Sequence, residues 1–155
     1  CNMECANCYI PNRDVPDMDV QKLYTFLNRL PKRIIVRLIG AEPTMRRDLC
    51  DIIRKVKKHG HNVSLTTNGL KLSSSSYVLK LKEAGLRMVL ISMNGADRPS
   101  AYEILDGKEI YCDMKIKALK NFMNLNMIIN TGTIIAKNAN EDAMMRQISL
   151  FRSNQ

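Results

Sequence analysis

The chain has 155 residues, and its 24 Lys and Arg against 15 Asp and Glu leave a net charge of +9. That length fits one domain, and a composition of 45% hydrophobic and 25% charged residues excludes a disordered, collagen-like or repeat-array chain. The longest apolar run, Met88 to Ile91, is far short of the roughly 18 consecutive apolar residues of a membrane span.

The chain opens on Cys1 rather than Met and carries no charged-then-apolar leader, so it reads as a piece of a longer protein. Cys1, Cys5 and Cys8 crowd into the first nine positions, while Cys50 and Cys112 stand apart in amphipathic segments. An odd, clustered set of five argues against a disulfide framework and for a reducing compartment, the cytoplasm. The basic excess gathers between Lys32 and Lys58 and reads as a solvated helix face. With three Phe, five Tyr and no Trp, there is no base-stacking platform, and nucleic acid is not an expected partner.

After the cysteine loop, Val20, Leu23, Tyr24, Leu27 and Leu30 recur at helical spacing, with Asp17 and Asp19 as candidate caps and Pro31 as the stop. Ile34 to Ile39 predicts a strand closed by Gly40, and Leu49, Ile52, Ile53 and Val56 predict a helix ended by Gly60. The unit returns as a strand over Val63 to Thr67 and a helix through Tyr77, Leu81 and Ala84, stopped by Gly85. It returns again as Met88 to Ser92 followed by Tyr111, Met114, Ala118, Phe122 and Leu125. A last strand near Ile128 to Ile135 leads into a helix from Asn140 to Phe151. Such alternation predicts parallel strands joined by right-handed crossovers, an α/β sheet or an incomplete barrel in one domain. Ligands then belong at the carboxyl ends of the strands, in the loops Gly40 to Thr44, Thr67 to Gly69, Ser92 to Gly95 and the stretch after Ile135.

CNMECANCY spaces three thiols as CxxxCxxC, a loop able to wrap three sulfurs around one inorganic centre. Structural zinc is closed by four protein ligands, whereas a 4Fe-4S cluster on three cysteines keeps one iron open. Zinc completed by His59 or His61, and a chance cluster, stay open as alternatives. The two histidines flank a helix-ending glycine, where a histidine more often complements the helix dipole. Taken singly, Glu42 is a helix-terminal charge beside Thr44, Asn68-Gly69 a turn and Ser92 a strand-end cap. Cys50 and Cys112 read as small buried hydrophobes, and methionines such as Met114 and Met123 as core filling.

Taken together, CNMECANC, GAEPTMRRDL, TTNGL and LISMNG, in this order, resemble the core of radical S-adenosylmethionine (SAM) enzymes, most closely the subgroup with GGEPT at the second strand. The resemblance covers essentially all 155 residues. It implies a partial (β/α)6 TIM-like barrel whose first strand would precede Cys1 and whose sixth would follow Gln155. It makes Cys1, Cys5 and Cys8 ligands of a 4Fe-4S cluster, with SAM chelating the fourth iron. Gly40, Ala41 and Glu42 match the segment that receives the SAM ammonium group, with Ala41 in place of the second glycine. Ser92 and Asn94 match positions that contact the SAM ribose and carboxylate, and Thr67 and Asn68 are expected to shape the pocket. Asn7 stands where an aromatic residue often packs on adenine, and Tyr9 is the alternative. Asn140 resembles a polar position common in the subgroup. The implied partners are a reductant such as flavodoxin or ferredoxin and an unidentified substrate, a small molecule or a peptide. The competing expectations are a zinc module whose basic helix docks an acidic partner, and a cluster-binding fragment without activity. Two unpaired sheet edges would make the isolated piece marginally stable and prone to self-association.

Overall fold

The computed structural model describes residues 1–10, 15–31 and 33–153; Lys32, at the head of the basic stretch, lies outside them. The elements run α1 (Val20–Leu27), β1 (Ile35–Leu38), a 3-10 turn (Pro43–Met45), α2 (Leu49–Lys58), β2 (Asn62–Thr67), a second 3-10 turn (Leu70–Ser73), α3 (Ser75–Ala84), β3 (Met88–Ser92), α4 (Pro99–Asp106), α5 (Tyr111–Met123), β4 (Ile128–Gly132) and α6 (Ala143–Arg152). The strands form one parallel sheet in the order β1-β2-β3-β4. A doubly wound sheet reverses its order at a switch point. Here each strand adds beside the last, the progression of a barrel sector.

The register explains the core. Leu38 pairs with Leu65, Leu65 with Val89 and Val89 with Ile129. These residues join Ile52, Ile53 and Val56 of α2, Val78 and Leu81 of α3, and Ala118 and Phe122 of α5 in one hydrophobic cluster. The alternate residues, among them Thr66 and Ser92, point to the other face, because successive side chains on a strand alternate.

Several element ends differ from the sequence expectation. Helix α1 stops at Leu27 and is capped by Asp19, whose Oδ1 accepts from the Gln21 amide at 2.9 Å. Asp17 instead pairs with Arg46 at 3.1 Å. Strand β1 is shorter than Ile34 to Ile39. Strand β4 ends at Gly132 rather than Ile135, because the next residues turn toward β3: the Thr133 hydroxyl donates to the Met93 carbonyl at 2.9 Å, and the Ile134 amide to Asn94 Oδ1 at 3.1 Å. Helix α4 was not expected at all. Its signals were present, since Pro99 opens it and Gly107, at φ +97, closes it. Its short apolar pattern, Ala101, Tyr102 and Leu105, hid it.

Gly69 is required where β2 ends. Its φ is +85, and a Cβ there would lie 2.7 Å from Ile91 Cγ2. Gly69→Ala is expected to cost roughly 2 to 5 kcal/mol, summing left-handed strain and overpacking. Urea denaturation of the full-length protein measures it.

Candidate functional site

At the carboxyl ends of the strands lies a cavity of about 350 Å³, within the usual size of small-molecule sites. Cys1, Cys5, Asn7, Cys8 and Tyr9 line it from the N-terminal loop, and Gly40, Ala41, Glu42, Thr67, Asn68, Ser92 and Asn94 from the strand ends. The sheet thus gathers twelve of the thirteen predicted residues, which span more than ninety positions in sequence. A larger hollow of about 680 Å³ flanks β1 and α1 with mainly apolar walls such as Leu23, Val36 and Leu49. The smaller cavity is the candidate, because all three clustered thiols and the polar strand ends meet there.

Glu42 is the hub. It is 5% exposed and caps the 3-10 turn at Pro43, its Oε1 accepting from the Thr44 amide at 3.0 Å and the Thr44 hydroxyl at 2.6 Å. The capping role expected of Glu42 taken singly is therefore real. Yet the same carboxylate reaches across the sheet: Oε1 accepts from Thr67 Oγ1 at 2.7 Å, and Oε2 from the Asn68 amide at 2.7 Å. Four fixed donors hold a buried anion at the cavity wall, and Oε2 takes only one of them. Such an acceptor suits a ligand cation.

Asn68 is a turn residue and a tether at once. Its Oδ1 accepts from the Leu70 amide at 3.0 Å, while its Nδ2 donates to Asn2 Oδ1 at 2.8 Å and stands 3.9 Å from Cys1 Sγ. The cysteine loop is pinned a second time where the Ala6 amide donates to the Leu105 carbonyl at 3.0 Å. Two buried polar atoms of the wall, Asn7 Nδ2 and Thr66 Oγ1, have no hydrogen-bond partner. Buried polar atoms are normally satisfied, so both mark places for a polar ligand. Tyr9 stands at the rim, 74% exposed.

Asn140 does not line the cavity. It is fully buried behind it, Nδ2 donating to the carbonyls of Asn94 at 2.6 Å and Ile134 at 2.7 Å, and Oδ1 accepting from the Ala136 amide at 2.7 Å. Its side chain is spent on the turn before α6, which is why that helix begins three residues later, at Ala143. The pattern also missed the two charged residues among the other lining positions, Asp106 and Lys115. Both sit on helices, where charged residues are ordinarily solvated, and nothing in their spacing distinguished them.

None of the five cysteines is in a disulfide. The zinc alternative fails on position. His59 and His61 stand at the amino end of β2, His59 with Nδ1 2.8 Å from the Lys55 carbonyl at the end of α2 and His61 with Nε2 3.4 Å from the Leu27 carbonyl. The cysteine loop contacts the carboxyl end at Asn68, and a six-residue strand separates the two by about 20 Å. Among the described residues no three His, Cys, Asp or Glu side chains gather around one point as ligands of a single ion. Zinc draws its ligands to about 2.3 Å from one centre, whereas three thiolates of a 4Fe-4S cluster bind separate irons. Cys1, Cys5 and Cys8 share one cavity wall, and three thiols are the donor set that a 4Fe-4S cluster with one open iron takes.

A barrel sector with a three-thiol loop over its strand ends defines a class of iron-sulfur enzyme core. The radical SAM superfamily model matches residues 1–148. The chain belongs to the radical SAM superfamily, whose cofactors are a 4Fe-4S cluster and SAM. It is 34% identical over 149 residues to the "Probable GTP 3',8-cyclase" of Pyrococcus horikoshii, covering 92% of this chain and 46% of that protein. It is 30% identical over 158 residues to the protein of the same description from Saccharolobus islandicus, covering 99% and 50%. The chain thus spans about half the length of these relatives. Streptococcus suis SuiB bound to its precursor peptide SuiA shares the fold at a TM-score of 0.79, with 18% identity, over 99% of this chain and 35% of that one. A structure of TYW1 with a lysine-pyruvate adduct does so at 0.61, with 19% identity, over 80% and 39%. No helix among the described residues is long and apolar enough to cross a membrane.

Proposed function

We propose that the full-length protein binds a 4Fe-4S cluster through Cys1, Cys5 and Cys8 and holds SAM in the adjoining cavity. The observation that carries this is the Glu42 carboxylate, buried and fixed by four donors from two strand ends on the same cavity wall as the three thiols. When bound, the reduced cluster and SAM supply reductive cleavage of the sulfonium to a 5′-deoxyadenosyl radical, which abstracts hydrogen from a substrate. The residues of this chain bind and orient. Glu42 takes the SAM ammonium group, with Gly40 and Ala41 beside it. Ser92 and Asn94 face the ribose and carboxylate. Asn7 offers its unpartnered amide inside the cavity, and Tyr9 offers an apolar face at the rim. Asn140 holds the Asn94 backbone from behind. The electron comes from an external reductant of the flavodoxin or ferredoxin kind.

Titration of SAM into the anaerobically reconstituted full-length protein, followed in the absorbance and electron paramagnetic resonance spectra of the cluster, tests this. Saturable perturbation of the spectrum and reductant-dependent release of 5′-deoxyadenosine are expected. A colourless protein containing zinc and no iron overturns it. A second reading concerns the substrate: the 34% identity to a probable GTP 3',8-cyclase favours GTP. Release of 5′-deoxyadenosine that rises on adding GTP supports that reading, and release indifferent to GTP rejects it.

A further inference from the structure

We infer that Asp106 and Lys115 are a positioning pair that holds the Asn94 side of the cavity and the cysteine loop on one support and so sets the affinity for SAM; this rests on the SAM site proposed above. Lys115 on α5 and Asp106 at the end of α4 are 0% and 1% exposed, and their ion pair measures 2.5 Å from Nζ to Oδ2. A buried ion pair is weak evidence for stability, because desolvating two charges offsets most of their attraction. Its place in a ligand cavity therefore asks for a geometric reason.

The contacts supply one. The other oxygen of Asp106, Oδ1, accepts from Asn94 Nδ2 at 2.8 Å, and Asn94 Oδ1 accepts from the Ile134 amide at 3.1 Å. Both ends of the Asn94 carboxamide are thereby committed, one to the ion pair and one to the chain beyond β4. The residue before Asp106 anchors the cysteine loop, since the Leu105 carbonyl accepts from the Ala6 amide at 3.0 Å. Next, Gly107 closes α4 at φ +97, and a Cβ there would lie 3.4 Å from the Glu4 carbonyl. The Lys115 ammonium is steadied by the Tyr102 ring, whose centroid lies 5.2 Å away and whose hydroxyl donates to the Ala96 carbonyl at 3.0 Å. The end of α4 is thus tied at once to the cysteine loop, to Asn94 and to α5. Small misplacements in such a site cost binding and rate out of proportion to their size.

The test replaces the pair in the full-length protein by apolar side chains of similar volume, Asp106→Leu with Lys115→Met, an exchange that commonly leaves stability unchanged or raised. Iron content, melting temperature and SAM affinity, read from the cluster spectrum, are measured after anaerobic reconstitution. Iron and melting temperature are expected at wild-type levels, with the SAM Kd weakened about tenfold. A Kd within threefold of wild type overturns the inference, and so does weaker binding that only follows a loss of iron. Should the double variant not fold, Asp106→Asn with Lys115→Gln, which keeps the shapes and removes both charges, is read by the same criteria. Wild-type protein that binds no SAM overturns the site and the pair together, whereas wild-type binding with an unaffected variant overturns the pair alone.

Discussion

Single Cys→Ala variants of the full-length protein, reconstituted anaerobically, are expected to separate into two groups: Cys1, Cys5 and Cys8 variants with most of their iron lost, and Cys50 and Cys112 variants with wild-type iron. Only the first three thiols line the cavity. The Cys112 thiol is 2% exposed, lies 3.7 Å from the Ala96 carbonyl, and is pushed up to about 11 chiefly by burial, so it stays protonated at neutral pH. Metal ligation requires the thiolate. Cys50 is half-buried in the first turn of α2, where it packs against the core. Iron counted per chain decides, and an equal loss from Cys50→Ala would sink the assignment of the cysteine loop.

Glu42→Ala is expected to weaken SAM binding by roughly 10- to 100-fold, the equivalent of losing a hydrogen bond to a charged group worth ~1.5 to 3 kcal/mol. The cluster absorbance should persist, since no thiol is changed. The melting temperature should fall as well. Removing the carboxylate strands the Thr44 and Asn68 amides and the Thr67 hydroxyl, and each unsatisfied buried donor costs ~1 to 3 kcal/mol at most. A SAM titration and a thermal melt separate the two effects. A lowered melting temperature with unchanged affinity would confine Glu42 to capping the turn at Pro43.

Chain-local chemistry accounts for how much of this molecule was legible before its structure. Hydrophobic period and the stops at Gly60 and Gly85 depend on neighbours within a few residues, so the strand and helix order could be read directly, except where α4 offered only Ala101, Tyr102 and Leu105 between Pro99 and Gly107. The cysteine loop was legible for the same reason, its three thiols being eight residues end to end. What the sequence determined alone was therefore the alternation, the thiol cluster and the loops at the strand ends. Tertiary structure decided which of those loops share a wall. It closed the Glu42 carboxylate with donors twenty-five and twenty-six positions away, and it moved Asn140 from the cavity to a bracket behind it. It also buried Lys115 against Asp106, nine positions apart on two different helices. A charged helix residue gives no sign of burial until another element packs over it, because its alternative, solvation, is the default for its type.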